Sequence, residues 1–358
     1  MDNSSNFFLT LVAAGLFGKN IKLSQFADAN WQDMYRLAYE QSVLGLVLVG
    51  LEYSDIKPPQ DLLLQWIGEV QLIEQRNNML DKELVEFASI CAENDYEYMV
   101  VKGSTVGYLY PKPEWRQAGD IDFLVHGEGN LVQKYSRVLS VEIQNVVEKE
   151  VGFDRNDVRY ELHISLRTWA KKKHQQVWDE LIEKEWLSNY YVEINSMKIR
   201  TLSPTVNSAY IFIHLFFHFI REGVSLRQFS DWAVVLHHYR DEIDREKLLQ
   251  ILLDLNVYEA CCAFETILVD KLGLPLRELP LPIGNDDRKW QQKILKDIFR
   301  GGNFGMLNHH AHSSWKYKVE TMRIALRNSF RYYRLCPSEV GGLIPRLVKG
   351  NLKVLLKQ

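Results

Sequence analysis

The sequence predicts an α+β protein in which a small mixed sheet with helices is flanked by N-terminal and C-terminal helical regions. Three observations predict this class. Apolar residues recur at helical spacing through residues 1–95, short apolar runs typical of strands are concentrated in residues 96–203, and helical patterns return in residues 204–358. We therefore expect an N-terminal helical region, an α/β core and a C-terminal helical region with a basic tail, with boundaries at these positions.

The N-terminal region begins with a polar stretch, Met1–Asn6, that lacks the cationic run of a secretory signal. The apolar run Phe7–Phe17 is therefore interpreted as a helix of the fold. Helical spacing continues from Trp31 to Tyr53, where Pro58 and Pro59 follow and stop the element. Good helix formers without proline then predict one long helix from Asp61 to about Glu93.

The α/β core is predicted from short apolar runs bounded by turn residues. Tyr98–Val101 and Ile121–Val125 are the first two predicted strands, and a short helix from Thr105 lies between them. Val158–Leu166 and Tyr190–Ile194 are predicted to continue as strands. Residues 198–202 can pair back across Asn195 and Ser196.

The C-terminal region is predicted to begin at Ser203-Pro204, which suits a helix start, and to remain helical to about Leu272, where Gly273 can end the helix. A proline-containing loop follows, and further helices are predicted over 286–299 and 316–333. A Pro/Gly break precedes a short basic tail helix.

The composition is that of a folded protein without a membrane span. The chain has 358 residues, is 46% hydrophobic and 25% charged, and carries a formal net charge of −3. Its most apolar interior stretch, Tyr210–Ile220, is too short to cross a bilayer and contains histidines. The four cysteines show no spacing typical of zinc ligands. A reducing, cytoplasmic location is therefore expected.

The strongest chemical signal is the segment VKGSTVGYLYPKPEWRQAGDIDFLV at residues 101–125. Side chains alternate along a strand, so Asp120 and Asp122 lie on one face, with Cα atoms about 6.6 Å apart. Two close carboxylates favour a cation, and oxygen ligands suit Mg²⁺ or Mn²⁺. Gly103 allows close backbone approach, and Ser104 opens a helix whose N–H groups favour a phosphate.

This order of residues resembles the Gly-Gly/Ser and Asp-x-Asp signature of the DNA polymerase beta-like nucleotidyltransferase superfamily. More narrowly, most of the chain resembles an uncharacterised bacterial nucleotidyltransferase family. The matching residues are Lys102-Gly103, Tyr110-Pro111, Arg116, Gly119-Asp120-Ile121-Asp122, Glu161, His163, His214, His218, Arg227 and Asp231. One departure is the fifteen residues between Ser104 and Asp120, slightly more than is usual in the superfamily.

The resemblance implies a polymerase beta-like core and a two-metal site in which a third carboxylate joins Asp120 and Asp122. Glu161 is the leading candidate because it shares a strand face with His163, and Glu193 is the reserve. The expected nucleotide-binding residues are Lys102, Gly103, Ser104, Arg116, His163, His214, His218, Arg227 and Asp231. Structural ion pairing is an alternative role for Lys102 and Arg116 and for the i, i+4 pair Arg227 and Asp231. Buried hydrogen-bonded histidines are the alternative for His214 and His218.

The function implied is transfer of a nucleoside monophosphate from an NTP to a hydroxyl group, with release of pyrophosphate. The acceptor can be a small molecule, a saccharide, a protein or RNA. One alternative is a nucleotide-binding sensor or interaction module without turnover. Another is an RNA-directed transferase, because the last fifty residues carry ten Lys and Arg against two acidic residues.

Overall fold

The computed structural model describes residues 3–22, 30–141, 150–302 and 314–342. Within these ranges the protein is an α+β structure, as the sequence predicts, with a four-stranded mixed sheet and a two-stranded sheet among many helices. The predicted basic tail helix lies outside the described residues. No helix in the described part is both long and apolar enough to cross a membrane.

Helices fill the described part of the N-terminal region. They are α1 (Asn3–Phe17), α2 (Trp31–Glu40), α3 (Leu44–Glu52) and α4 (Gln60–Glu93). α4 confirms the single long helix predicted between residues 61 and 93. The helical pattern from residue 31 to 53 is instead divided between α2 and α3, because Ser42 adopts a φ of 55°.

The main sheet has the order β1-β2-β4-β3, with β1 (Tyr98–Val101), β2 (Asp120–Val125), β3 (Glu150–Arg155) and β4 (Val158–His163). β2 and β4 are parallel, while β1 pairs with β2 and β3 pairs with β4 in antiparallel fashion. The connections contain α5 (Gly103–Gly107), a 3₁₀ turn and α6 (Leu131–Val138). β3 was not predicted. The central position of β2 and β4 brings the acidic residues of both strands together.

Beyond the main sheet, α7 (Lys172–Ser188) leads to a hairpin of β5 (Tyr191–Ile194) and β6 (Met197–Arg200). The hairpin confirms the predicted pairing across Asn195 and Ser196, whose φ angles of 48° and 64° suit a tight hairpin turn. α7 was not predicted.

The described part of the C-terminal region is helical, as expected. Its helices are α8 (Pro204–Arg221), α9 (Leu226–His238), α10 (Arg245–Asp254), α11 (Tyr258–Asp270), α12 (Asn285–Gly301) and α13 (Ser314–Tyr332). Helices from both ends of the chain share one hydrophobic cluster, in which the Phe8 and Phe299 rings lie 6.1 Å apart. A second cluster joins the sheet to the C-terminal half of α4. The three-unit division at residues 95 and 203 stays a prediction.

Candidate metal and nucleotide site

Two carboxylates meet across the centre of the main sheet. Asp122 on β2 is the direct register partner of Glu161 on β4 in the parallel pairing. The two positions are 39 residues apart in sequence, and only the β2–β4 pairing makes them neighbours. Asp122 is buried, whereas Glu161 is partly accessible. The sheet therefore brings together two of the three carboxylates predicted for a metal site.

The Asp122 carboxylate has two basic partners on one oxygen. Its Oδ1 lies 2.8 Å from His163 Nε2 and 2.8 Å from Lys102 Nζ. His163 is at the end of β4, and its Nδ1 lies 3.8 Å from Glu150 Oε2 on β3. Lys102 follows directly after β1 and is largely buried. The buried negative charge is therefore balanced from both neighbouring strands.

The two register partners have opposite pKa shifts. Burial alone would raise the pKa of Asp122, but the Lys102 ammonium and the His163 imidazole hold it well below its usual range. Burial, the Asp122 charge and the Asp120 charge instead raise the pKa of Glu161 to about 8. Asp122 thus retains its charge, and Glu161 readily holds a proton while no cation is bound.

Asp120 begins β2 and is more accessible than Asp122. Burial and the neighbouring Asp122 charge raise its pKa, while Lys102, Arg227 and Arg116 act in the opposite direction. The same-face relationship of the two aspartates follows from the alternation of side chains on β2. Their mutual repulsion makes a cation favourable at this end of the strand.

The predicted phosphate turn is adjacent to the acidic residues. Gly103 has a φ of 38°, and a Cβ atom at this position would lie 3.4 Å from the Asp120 carbonyl oxygen. Glycine therefore permits both the backbone conformation and the close approach to β2. Ser104 is partly exposed in α5, which is five residues long and begins at Gly103, two residues before the predicted start at Thr105.

The donor set fits a divalent cation. Ligand atoms from Asp122, Glu161 and His163 all lie within 4.8 Å of one another. Carboxylate oxygens suit Mg²⁺ and Mn²⁺, and an imidazole nitrogen is the ligand type that transition metals accept more readily than Mg²⁺ does. Asp120 is not in this group. His163, predicted as a nucleotide-binding residue, therefore lies where a metal ligand would be.

The comparison with known families decides the assignment of the chain. The family described as "Uncharacterised nucleotidyltransferase" matches residues 27–269, which is more than half of the chain. The chain belongs to this nucleotidyltransferase family. The matched range contains every residue of the site described above. None of the curated proteins matches the chain.

One solved structure is similar to this family member. It is described as an antigenic nucleotidyltransferase-like protein from Paracoccidioides brasiliensis, and it shares 13% sequence identity with the chain. The similarity covers 55% of this chain and 92% of that one, with a TM-score of 0.32. A likeness at this level decides nothing about fold or function.

Two of the predicted nucleotide-binding residues form a buried ion pair in this family member. Arg116 donates to Asp231 from Nε at 2.7 Å and from Nη2 at 2.8 Å, and the Tyr110 hydroxyl donates to the same carboxylate at 2.7 Å. Arg227, one helical turn before Asp231, donates from Nη1 to the Gln117 carbonyl oxygen at 2.9 Å. These contacts attach α9 to the loop between β1 and β2.

The predicted histidines lie on α8 beside the carboxylate site. The rings of His214 and His218 have centroids 4.2 Å apart, and both side chains are partly buried. Burial and the nearby Lys102 charge lower the pKa of His214 well below its usual value and that of His218 to about 3. Both imidazoles are therefore neutral at pH 7 and can donate or accept hydrogen bonds without adding charge.

Sequence reasoning missed two residues of the site. Tyr210 precedes His214 by one helical turn on α8, and the nearby Lys102 charge acts on the pKa of its buried hydroxyl. Glu150 approaches His163 from β3. The i, i+4, i+8 spacing of Tyr210, His214 and His218 could have indicated a shared face. Glu150 could not be found without predicting β3.

Proposed function

We propose that the protein is a metal-dependent nucleotidyltransferase of the polymerase beta-like superfamily. It transfers a nucleoside monophosphate from an NTP to a hydroxyl group and releases pyrophosphate. The observation that carries this proposal is the register pairing of Asp122 with Glu161, which with His163 forms a compact set of ligand atoms beside the Gly103 turn. Membership of a nucleotidyltransferase family supports the same chemistry.

The carboxylates define the reaction centre in this proposal. Asp122 and Glu161, with Asp120 on the accessible side, would hold Mg²⁺ or Mn²⁺, and His163 would add a nitrogen ligand. A bound divalent cation would neutralise triphosphate charge and polarise the attacking hydroxyl. The acceptor oxygen forms a bond to the α-phosphorus as the bond to the β-phosphate bridging oxygen breaks. Pyrophosphate leaves, and Glu161 is assigned as the group that receives the acceptor proton.

The nucleotide is proposed to bind along the Gly103-Ser104 turn. Backbone N–H groups of the turn would face the phosphates, and Lys102 adjoins them as a cation. The neutral imidazoles of His214 and His218 on α8, which lie close enough to Lys102 to feel its charge, are proposed to hydrogen-bond the nucleotide or the acceptor. We propose that Arg116, Arg227 and Asp231 support the nucleotide site by holding α9 against the β1–β2 loop, which their described contacts join.

A labelling experiment tests the proposal. Purified protein is incubated with each α-³²P-labelled NTP, a divalent cation and fractionated cell extract, so that small molecules, saccharides, proteins and RNA are all offered as acceptors. We expect incorporated label and released pyrophosphate. Asp122→Asn should lower transfer at least about 100-fold, because it removes a metal ligand. Asp154→Asn is the matched control, since Asp154 lies on β3 with its side chain 70% exposed.

Two outcomes separate the competing functions. An Asp122→Asn protein that labels as well as the wild type would contradict the proposed reaction centre. Metal-dependent NTP binding in calorimetry, without label transfer in any fraction, would favour a nucleotide-binding sensor. An RNA-directed transferase requires the purified protein to bind bulk RNA at low salt, where phosphate contacts are strongest.

A further inference from the structure

Lys102 contacts one of the carboxylates proposed to bind a metal ion. Its Nζ lies 2.8 Å from Asp122 Oδ1, the same oxygen that contacts His163. The side chain of Lys102 is 16% exposed, and its charge acts on the buried Tyr210 hydroxyl of α8. A single positive charge is therefore already bound to the carboxylate at the centre of the proposed metal ligands.

A divalent cation and this ammonium group compete for Asp122. Mg²⁺ and Mn²⁺ bind carboxylate oxygens at about 2.0–2.2 Å, so a metal on Asp122 would lie within a few ångströms of Nζ at its present position. Two positive charges that close, in a largely buried site, repel strongly. Metal binding to Asp122 therefore requires the ammonium group of Lys102 to move away from it.

The backbone of Lys102 is held in a conformation that directs its side chain to the carboxylates. Its φ of 57° and ψ of −145° are rare for a residue with a side chain, and such conformations are found preferentially at functional sites. Thr105 Oγ1 donates to the Lys102 carbonyl oxygen at 2.8 Å and fixes the turn. The next residue, Gly103, begins the turn proposed to face the phosphates. Lys102 is thus covalently bonded to the first residue of the proposed phosphate turn and forms an ion pair with the carboxylate site.

We infer that Lys102 is a mobile counterion that couples metal binding to nucleotide binding. In the nucleotide-free protein its ammonium group neutralises Asp122. When a metal–nucleotide complex arrives, the metal replaces the ammonium group at Asp122, and Lys102 pairs with the triphosphate. Free divalent cations consequently bind weakly, and nucleotide increases their affinity. This inference rests on the proposed function, because it requires a triphosphate beside Gly103.

Binding of Mn²⁺ to the full-length protein tests the inference without measuring activity. Loss of the free-Mn²⁺ signal in electron paramagnetic resonance gives the affinity, with and without each α,β-methylene NTP analogue, after correction for Mn²⁺ bound by the same analogue in the absence of protein. We expect weak binding to the wild type alone and at least about tenfold tighter binding with nucleotide. Lys102→Met should bind free Mn²⁺ at least about tenfold more tightly than the wild type, since a repelling charge is removed. Addition of nucleotide should then increase the Mn²⁺ affinity of Lys102→Met only slightly.

Two further variants make the result specific. Lys102→Gln retains a hydrogen-bond donor for Asp122 while removing the charge, so it should reproduce the tighter binding even if Lys102→Met folds poorly. Lys112→Met is the matched control, because Lys112 lies in the same β1–β2 loop but pairs with Glu52. Thermal melts of all variants report folding. We expect Lys112→Met to bind Mn²⁺ as the wild type does.

The free-metal and nucleotide measurements distinguish the possible failures. Equal or weaker Mn²⁺ binding in folded Lys102→Met and Lys102→Gln would overturn the inference, because Lys102 would then be a fixed structural partner of Asp122. If the substitutions strengthen Mn²⁺ binding but no NTP analogue binds the wild type, the result supports competition between Lys102 and metal for Asp122. The proposed transferase function, and with it the coupling, would then be contradicted.

Discussion

The guanidinium of Arg116 donates two hydrogen bonds to the carboxylate of Asp231, and both side chains are buried. Arg116 follows the 3₁₀ turn in the β1–β2 loop, while Asp231 is on α9, so the pair fixes a C-terminal helix to the segment that carries the phosphate turn. Both residues were predicted to bind nucleotide. Their existing contacts give them a structural role, and direct nucleotide contact stays a prediction.

Asp231→Asn should therefore destabilise the fold. The substitution leaves the Arg116 charge buried without its counterion, and loss of one partner of a buried ion pair typically costs about 3–5 kcal/mol. Denaturant unfolding measures the change. Asp241→Asn, at a site whose side chain is 85% exposed, should change stability by less than about 0.5 kcal/mol. Unchanged stability in Asp231→Asn with lost NTP binding would instead assign the residue to the nucleotide.

Gly103→Ala is expected to disturb the phosphate turn. The φ of 38° disfavours any residue with a side chain, and the new Cβ would lie 3.4 Å from the Asp120 carbonyl oxygen. We expect a loss of about 1 kcal/mol or more in unfolding free energy and weaker binding of NTP analogues in calorimetry.

Gly119→Ala is the control for the turn substitution. Gly119 is at the other end of the same loop and immediately precedes Asp120, yet a Cβ there would meet no atom within 4 Å. Its nucleotide affinity should match that of the wild type. Equal affinities for all three proteins would show that the Gly103 turn does not contact the nucleotide.

The sequence was sufficient for elements whose determinants are local. The long α4 follows from helix-forming residues without proline, and β2 from the apolar run Ile121–Val125. It was insufficient for α7, which starts in a lysine cluster without a side-chain cap of its own. There the Ala170 N–H donates to Glu339 Oε2 at 2.6 Å, and His174 Nδ1 lies 2.7 Å from Oε1 of the same carboxylate. That partner is remote in sequence, so no local pattern indicates it.

The site shows the same limit. The alternation on β2 and β4 placed Asp122 on one face with Asp120, and Glu161 on one face with His163, because side-chain direction in a strand is a local property. The sequence did not predict the partner of each basic side chain, since Lys102 and Arg116 were equally suited to pair with a carboxylate or a phosphate. In the folded protein Lys102 pairs with Asp122, and Arg116 pairs with Asp231 on α9. β3, with Gly152 at its centre and charged ends, also lacks a clear local strand pattern.

His163 should set the metal preference of the site. If its imidazole is a ligand, His163→Ala should weaken Mn²⁺ binding about 10–100-fold, a range typical for residues that bind or orient a metal ligand. His163→Asp would give an all-oxygen set and should shift preference from Mn²⁺ toward Mg²⁺. The relative affinity for the two ions is measured by competition, with bound Mn²⁺ monitored by its paramagnetic resonance signal.

His126→Ala serves as the histidine control, because His126 follows β2 and contacts Glu97 instead of the carboxylate site. Its Mn²⁺ affinity should be that of the wild type. If the ratio of Mn²⁺ affinity to Mg²⁺ affinity is unchanged in His163→Asp, His163 is not a metal ligand and is only a hydrogen-bond partner of Asp122.

A buried acid far from the site should control the pH dependence of stability. Glu265 on α11 is fully buried, and burial raises its pKa well above the usual value of 4.5. Between that value and the folded-state pKa, the unfolded chain loses the proton while the folded protein keeps it. Unfolding free energy therefore falls as pH rises, by up to about 1.4 kcal/mol per pH unit from this group.

Glu265→Gln removes this titratable carboxyl group, so the unfolding free energy should fall less steeply as pH rises. The variant is expected to gain stability relative to the wild type as pH increases from 5 to 8, with the smallest difference at pH 5. Denaturant unfolding at each pH gives the two slopes, and groups common to both proteins cancel in their difference. Glu259→Gln, exposed on the same helix, should follow the wild-type curve. Parallel curves for Glu265→Gln and the wild type would mean that Glu265 is ionised in the folded protein, because ionisation in both states leaves no proton difference to drive the slope.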